Sequence, residues 1–242
     1  MNDAPALKQA EVGIAVSGAT DVAKAAASLV LTTPGLGGIV RAIEASRRIY
    51  QRMLTYTLNK IVKTIEIALF ISIGVVVTKH LIITPLLIVL LLFTNDFVTM
   101  SIATDRVSFS QTPDRWPVRK LVGAGLLLGG LVLTFSLSIF AVGRWLLHLP
   151  LVQLQTVVFV TLVFTGQATV YLIRERKHFW HSLPSRWMLL ASALDIAVVT
   201  LLATEGVLMS AIPVTLVLEI LGCCVVFFFG LDALKASVLK HV

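Results

Sequence analysis

Glu66 and Asp96 are acidic residues set deep inside long apolar runs, and Asp96 directly follows Thr94 and Asn95. A charge in such a run is expensive to bury, which makes each a candidate for chemistry by default. Glu66 lies thirteen residues before Lys79 and Asp96 fifteen after Leu81, on the two arms of one tight hairpin. At about 1.5 Å per helical residue both sit roughly 20 Å from the turn, and we expect them to face each other within one layer. A carboxylate in low dielectric can hold a proton and release it when water or a cation approaches, which is the chemistry of cation carriage. Asn95 adds an amide able to donate to an ionised carboxylate or accept from a protonated one. The plainer alternative is that both acids merely satisfy neighbouring helices, Glu66 pairing with Lys63 three residues before it.

Other candidates carry less context. Asp195 and Glu219 lie in later apolar runs without polar neighbours, where a structural role is the expectation. Pro85 interrupts the second run near one end, where neighbouring helices can satisfy the freed carbonyl. His178 and His181, beside Arg174, Arg176 and Lys177, read as an interfacial basic patch and not as a metal site. Cys223 and Cys224 are adjacent within an apolar run, where they resemble small buried hydrophobes.

The elements that position these residues are membrane spans. Of 242 residues 57% are hydrophobic and 14% charged, with a mean hydropathy of +0.92, against about 45–50% and 25% in soluble domains. The net charge of +7 is not organised as a basic stripe interleaved with aromatics, which argues against nucleic acid as a partner. Apolar segments at about 61–78, 81–104, 121–142, 151–173, 187–208 and 211–234 each approach or exceed the ~20 residues that cross a bilayer as a helix. The fold class expected is therefore mainly α, a polytopic bundle of six transmembrane helices over 61–242, with the lipid bilayer as its surroundings. Eighteen of the twenty Lys and Arg residues, all but Lys79 and Arg144, fall on one side of these spans. The positive-inside rule then places both termini in the cytoplasm. Met1 opens a polar stretch and not a cleavable signal, so insertion is expected to rely on the internal spans.

Residues 1–38 differ from the rest. Val12 to Val16 and Ser28 to Thr32 read as short strands flanking an Ala-rich helix from Asp21, the tail of an α/β layer too small to bury a core by itself. Residues 39–60, with Arg41, Arg47, Arg48 and Arg52 among periodic apolar positions, read as a basic amphipathic helix leading into the first span.

Met1-Asn2-Asp3-Ala4-Pro5-Ala6-Leu7-Lys8, followed by Val12-Gly13-Ile14-Ala15-Val16, closely resembles the hinge motif of P-type ATPases. Leu92-Phe93-Thr94-Asn95-Asp96 and then Ser101 to Val107 resemble the plasma-membrane proton-pump branch; the last four spans match by count and spacing alone. The resemblance implies that residues 1–38 are the C-terminal remnant of a phosphorylation domain of the HAD-like kind and that 39–60 is the stalk. It implies that Asp96 is the membrane proton acceptor with Asn95 its neighbour. It also implies that Asp3, with Asn2 beside it, helps hold magnesium at the phosphorylation site of an intact, ATP-using parent. A carboxylate suits that hard cation. Glu66 stands where plant pumps carry an arginine counter-charge, so the transported cation, proton favoured, could also be a metal ion. The phosphorylation loop, the nucleotide-binding domain and the first four membrane helices of the family pattern are absent. The expectation is thus the membrane half of a cation pump, lacking its N-terminal part and unable to hydrolyse ATP alone. The alternative is a small standalone membrane protein, a passive cation pathway or an accessory subunit, against which the start inside a phosphate loop counts.

Overall fold

The computed structural model describes residues 3–107, 118–175 and 178–239, with side chains as far as residue 235. Two compact units divide the chain, one from the N-terminus to Ile49 and one holding the spans.

In the first unit, α1 (Ala4–Gln9) carries Pro5 in its first turn, where the missing N–H costs nothing. β1 (Ile14–Ala15) and β2 (Leu29–Val30) pair in parallel, with α2 (Asp21–Ala26) as the crossover. The Thr20 hydroxyl caps α2 by accepting from the Ala23 N–H. A side chain at Gly13 would run into the Leu7 carbonyl, so glycine allows α1 to lie against the strand. Ala15 and Leu31 are buried, whereas Val12, Val16, Val22 and Leu36 are more than half exposed. The expected strands are thus present but shortened, and their apolar faces are largely uncovered.

α3 (Gly37–Thr78) is one unbroken helix of 42 residues, so the expected stalk and first span are a single element. It is followed by α4 (Pro85–Ser101), α5 (Val118–Ala141), α6 (Leu151–Ile173), α7 (Arg186–Glu205) and α8 (Val214–Leu239). Six helices, each with its short terminal turns, are long and apolar enough to cross a membrane. The chain is a helical, multi-pass membrane bundle.

The second span begins later than the sequence suggests. Pro85 opens α4 instead of interrupting it, and Thr84 caps the helix by accepting from the Leu87 N–H at 3.2 Å. Proline is pre-organised for a first turn, and residues 81–84 are consequently left outside the helix.

α6 is the centre of the bundle: 89% of its most apolar stretch is buried, against 28–39% in the other spans. It packs on α4, α5, α7 and α8. α5 meets α3 through glycines, since a Cβ at Gly125 would stand 2.5 Å from Ile61 and one at Gly129 3.1 Å from Ile65. Small residues allow such close approach in membranes, where dispersion and shape replace the hydrophobic effect as the glue.

At the basic end, Asp105 ties several elements together. Its carboxylate takes two bonds from the Arg174 guanidinium, 2.9 and 3.1 Å, and one of 3.0 Å from the Ser185 N–H. Its backbone carbonyl accepts from Arg52 on α3 at 3.0 and 2.6 Å. A second cluster at this end joins Asp232 to Lys235 at 2.6 Å and to His178 at 2.7 Å.

Candidate functional site

α3 carries Lys63 and Glu66 on the face turned toward the bundle, three residues apart and hence on one side of the helix. Glu66 is completely buried. One of its oxygens accepts from Lys63 Nζ at 2.8 Å, and the other accepts from Ser136 Oγ of α5 and Thr165 Oγ1 of α6, both at 2.7 Å. Lys63 Nζ also donates to the Leu162 carbonyl at 2.8 Å and lies 3.4 Å from Thr165 Oγ1. Three helices therefore meet at one ion pair whose hydrogen-bonding capacity is nearly filled. Such completeness is what makes a buried charge tolerable, because desolvation otherwise outweighs the attraction.

Asn95 of α4 belongs to the same cluster. A Cβ at Gly166 would collide with Asn95 Oδ1 and stand 3.2 Å from Lys63 Nζ, so both side chains occupy the space that this glycine leaves. Asp96, one residue on, points elsewhere. It accepts from Lys60 Nζ at 3.0 Å in a pair whose side chains are 62% and 42% exposed, and Lys60 also lies 5.5 Å from the centre of the Tyr56 ring.

Glu66 and Asp96 consequently do not face each other, contrary to the expectation from depth alone. Successive residues are about 100° apart on a helix, and the rotation of α4 points Asn95 to the interior and Asp96 away from it. Each acid instead holds its own lysine of α3. The pairing of Glu66 with Lys63 was the plainer of the sequence alternatives. Thr165, Gly166 and Ser136 were not anticipated, although Thr161, Thr165, Gln167 and Thr169 give the fourth span an unusually polar sequence.

The remaining candidates separate. Asp195 is buried and accepts from Gln167 Nε2 on α6. Glu219 is exposed on α8. Cys223 is exposed and Cys224 buried, both unbridged. Asp3 is exposed and its side chain makes no capping bond to the start of α1. Asn2 lies outside the described residues. Among the described residues no group of three or more His, Cys, Asp or Glu side chains could hold a metal by itself.

A bundle of six helices long and apolar enough to cross a membrane, packed around a buried Lys–Glu pair, with a carboxylate of the adjoining helix held by a second lysine, is the architecture of a multi-pass membrane protein. No family model matches the chain. Along its whole length it is 37% identical to a protein of Methanocaldococcus jannaschii described as a cation-transporting ATPase, of which it covers 30%. It is 32% identical over 202 residues, 78% of this chain and 21% of the relative, to the plasma membrane ATPase of Neurospora crassa. Over 215 residues, 84% of this chain and 22% of the relative, it is 29% identical to plasma membrane ATPase 1 of Saccharomyces cerevisiae. Its homologues are thus P-type cation-transporting ATPases. It spans between a fifth and a third of the length of these relatives.

Proposed function

We propose that the chain is the C-terminal, membrane half of an ATP-driven cation pump, with the proton as the favoured ion. The observation that carries this reading is the polar layer shared by α3, α4, α5 and α6, in which Lys63, Glu66 and Asn95 are locked inside while Asp96 and Lys60 remain exposed beside them. The locked pair acts as a fixed, neutral support. Asp96 is the mobile member: its carboxylate exchanges Lys60 for the transported cation, and Asn95 stays packed beside Gly166 and Lys63 through either state. Movement of α3 passes directly to Lys60, Lys63 and Glu66, since all three lie on one unbroken helix.

In this reading the machinery that hydrolyses ATP is supplied by the N-terminal part of the pump. Asp3, and Asn2 beside it, would lie at the phosphorylation site, where Asp3 supplies one hard oxygen ligand to magnesium and the remaining ligands come from the rest of the pump. The bundle lies in the cell membrane with both termini cytoplasmic, a reading supported by the distribution of Lys and Arg.

Transport by the full-length parent tests the proposal. Asp96→Asn should abolish ATP-driven proton uptake into inverted vesicles while leaving phosphoenzyme formation from ATP intact. Uptake at the parental rate in that variant would make Asp96 structural and end this assignment.

A further inference from the structure

Asp195 and Gln167 form a second polar site, on the opposite side of α6 from Glu66. Thr165, which bonds Glu66, and Gln167 are two residues apart, about 200° around the helix. Asp195 is 7% and Gln167 4% exposed. Gln167 Nε2 donates to Asp195 Oδ2, whereas the buried Gln167 Oε1 has no donor among the described residues.

The charges around this pair set it apart. Glu66, Asp105 and Asp232 are also buried, and each has a lysine or arginine nitrogen at 2.6–2.9 Å. Asp195 makes no ion pair among the described residues. The ionisable groups on the helices packed against α7 are engaged elsewhere or are not cations. On α6, Tyr171 bonds Ser192 and the Met188 carbonyl, Arg174 is held by Asp105, and Glu175 accepts from Ser182. On α4, Asp96 is held by Lys60. On α8, Lys235 is bonded to Asp232 and the Leu172 carbonyl, leaving Glu219 and the two cysteines.

An ionised Asp195 would thus be an uncompensated charge in the bundle, next to an amide oxygen that lacks a donor. One proton answers both deficits. We propose that Asp195 is a proton-binding site, held as the neutral acid in a cyclic acid–amide pair with Gln167. The acid O–H donates to Gln167 Oε1 while the amide N–H donates to the other carboxyl oxygen, and an apolar surrounding strengthens both bonds. Binding moves one proton from hydronium to the carboxylate: one O–H bond of hydronium breaks, one forms on Asp195, and a water molecule is released. The Tyr171–Ser192 hydroxyl pair, 2.9 Å apart and one turn nearer the Arg174 end, provides the polar groups through which that proton exchanges. The pair is independent of which cation the Glu66 cluster serves.

Infrared difference spectra of the chain in phosphatidylcholine vesicles, between neutral and alkaline pH in H2O and D2O, test this. A deuterium-sensitive carboxylic-acid carbonyl band should be present at neutral pH, persist in Glu66→Gln and vanish in Asp195→Asn. Gln167→Leu keeps the acid but removes its partner, so the band should move to higher frequency; this variant carries the test if Asp195→Asn does not assemble. A band unchanged by Asp195→Asn, or unmoved by Gln167→Leu, would refute the site. A band that disappears on adding sodium or potassium at constant pH would replace it with a metal-ion site.

Discussion

At the scale of single residues, the Lys63–Glu66 pair makes its own asymmetry measurable. Removing one partner leaves the other as a buried, uncompensated charge, so Lys63→Met or Glu66→Leu alone should destabilise the bundle by about 3–5 kcal/mol. The double replacement keeps volume and removes both charges, and it should recover most of that loss. Denaturant unfolding of the detergent-solubilised chain, read as a double-mutant cycle, reports the coupling; strictly additive losses would mean that the two groups do not act as a pair. Gly166 offers a second check. Its missing Cβ makes room for Asn95 and Lys63, so Gly166→Ala should cost about 1–3 kcal/mol by overpacking, whereas Gly130→Ala on α5, where a Cβ meets nothing, should be neutral or slightly stabilising.

At the scale of elements, Asp105 is the joint on which α3, α6 and the start of α7 converge. Its carboxylate geometry uses the planar fork of Arg174, which a lysine cannot reproduce. Arg174→Ala should therefore destabilise the chain by about 3–5 kcal/mol, and Arg174→Lys should restore only a minor part. Protection of the α7 amides from hydrogen exchange should fall first, since Ser185 at the head of α7 donates to Asp105. Uniform protection loss across all six helices would show that Asp105 is not a local joint. The late start of α4 belongs to the same scale: hydropathy extended the span to residue 81, but the fixed φ of Pro85 decided where the helix begins.

For the molecule as a whole, orientation is the testable property. With Cys223 and Cys224 replaced, a cysteine at His148 should react with an impermeant thiol reagent applied outside intact cells, and one at His181 should not, if the side that carries most of the Lys and Arg residues is cytoplasmic, as proposed. The reverse pattern would invert the bundle. The chain spans at most 30% of the relatives cited.

The sequence by itself determined the number of the apolar helices, the asymmetry of charge, and the positions of Glu66, Asn95 and Asp96 along them. These follow from length, composition and a constant rise per residue, which need no knowledge of neighbours. Which way each acid points was decided only by tertiary structure. A shift of one residue turns a side chain by about 100°, and the rotation of a helix is set by what packs around it. Glycines at 125, 129 and 166 permit that packing through atoms they lack, and the partners of Glu66 lie 70 and 99 residues away, at Ser136 and Thr165. Position along each helix was therefore legible, whereas the choice of Lys63 for Glu66, Lys60 for Asp96 and Gln167 for Asp195 arose from the fold.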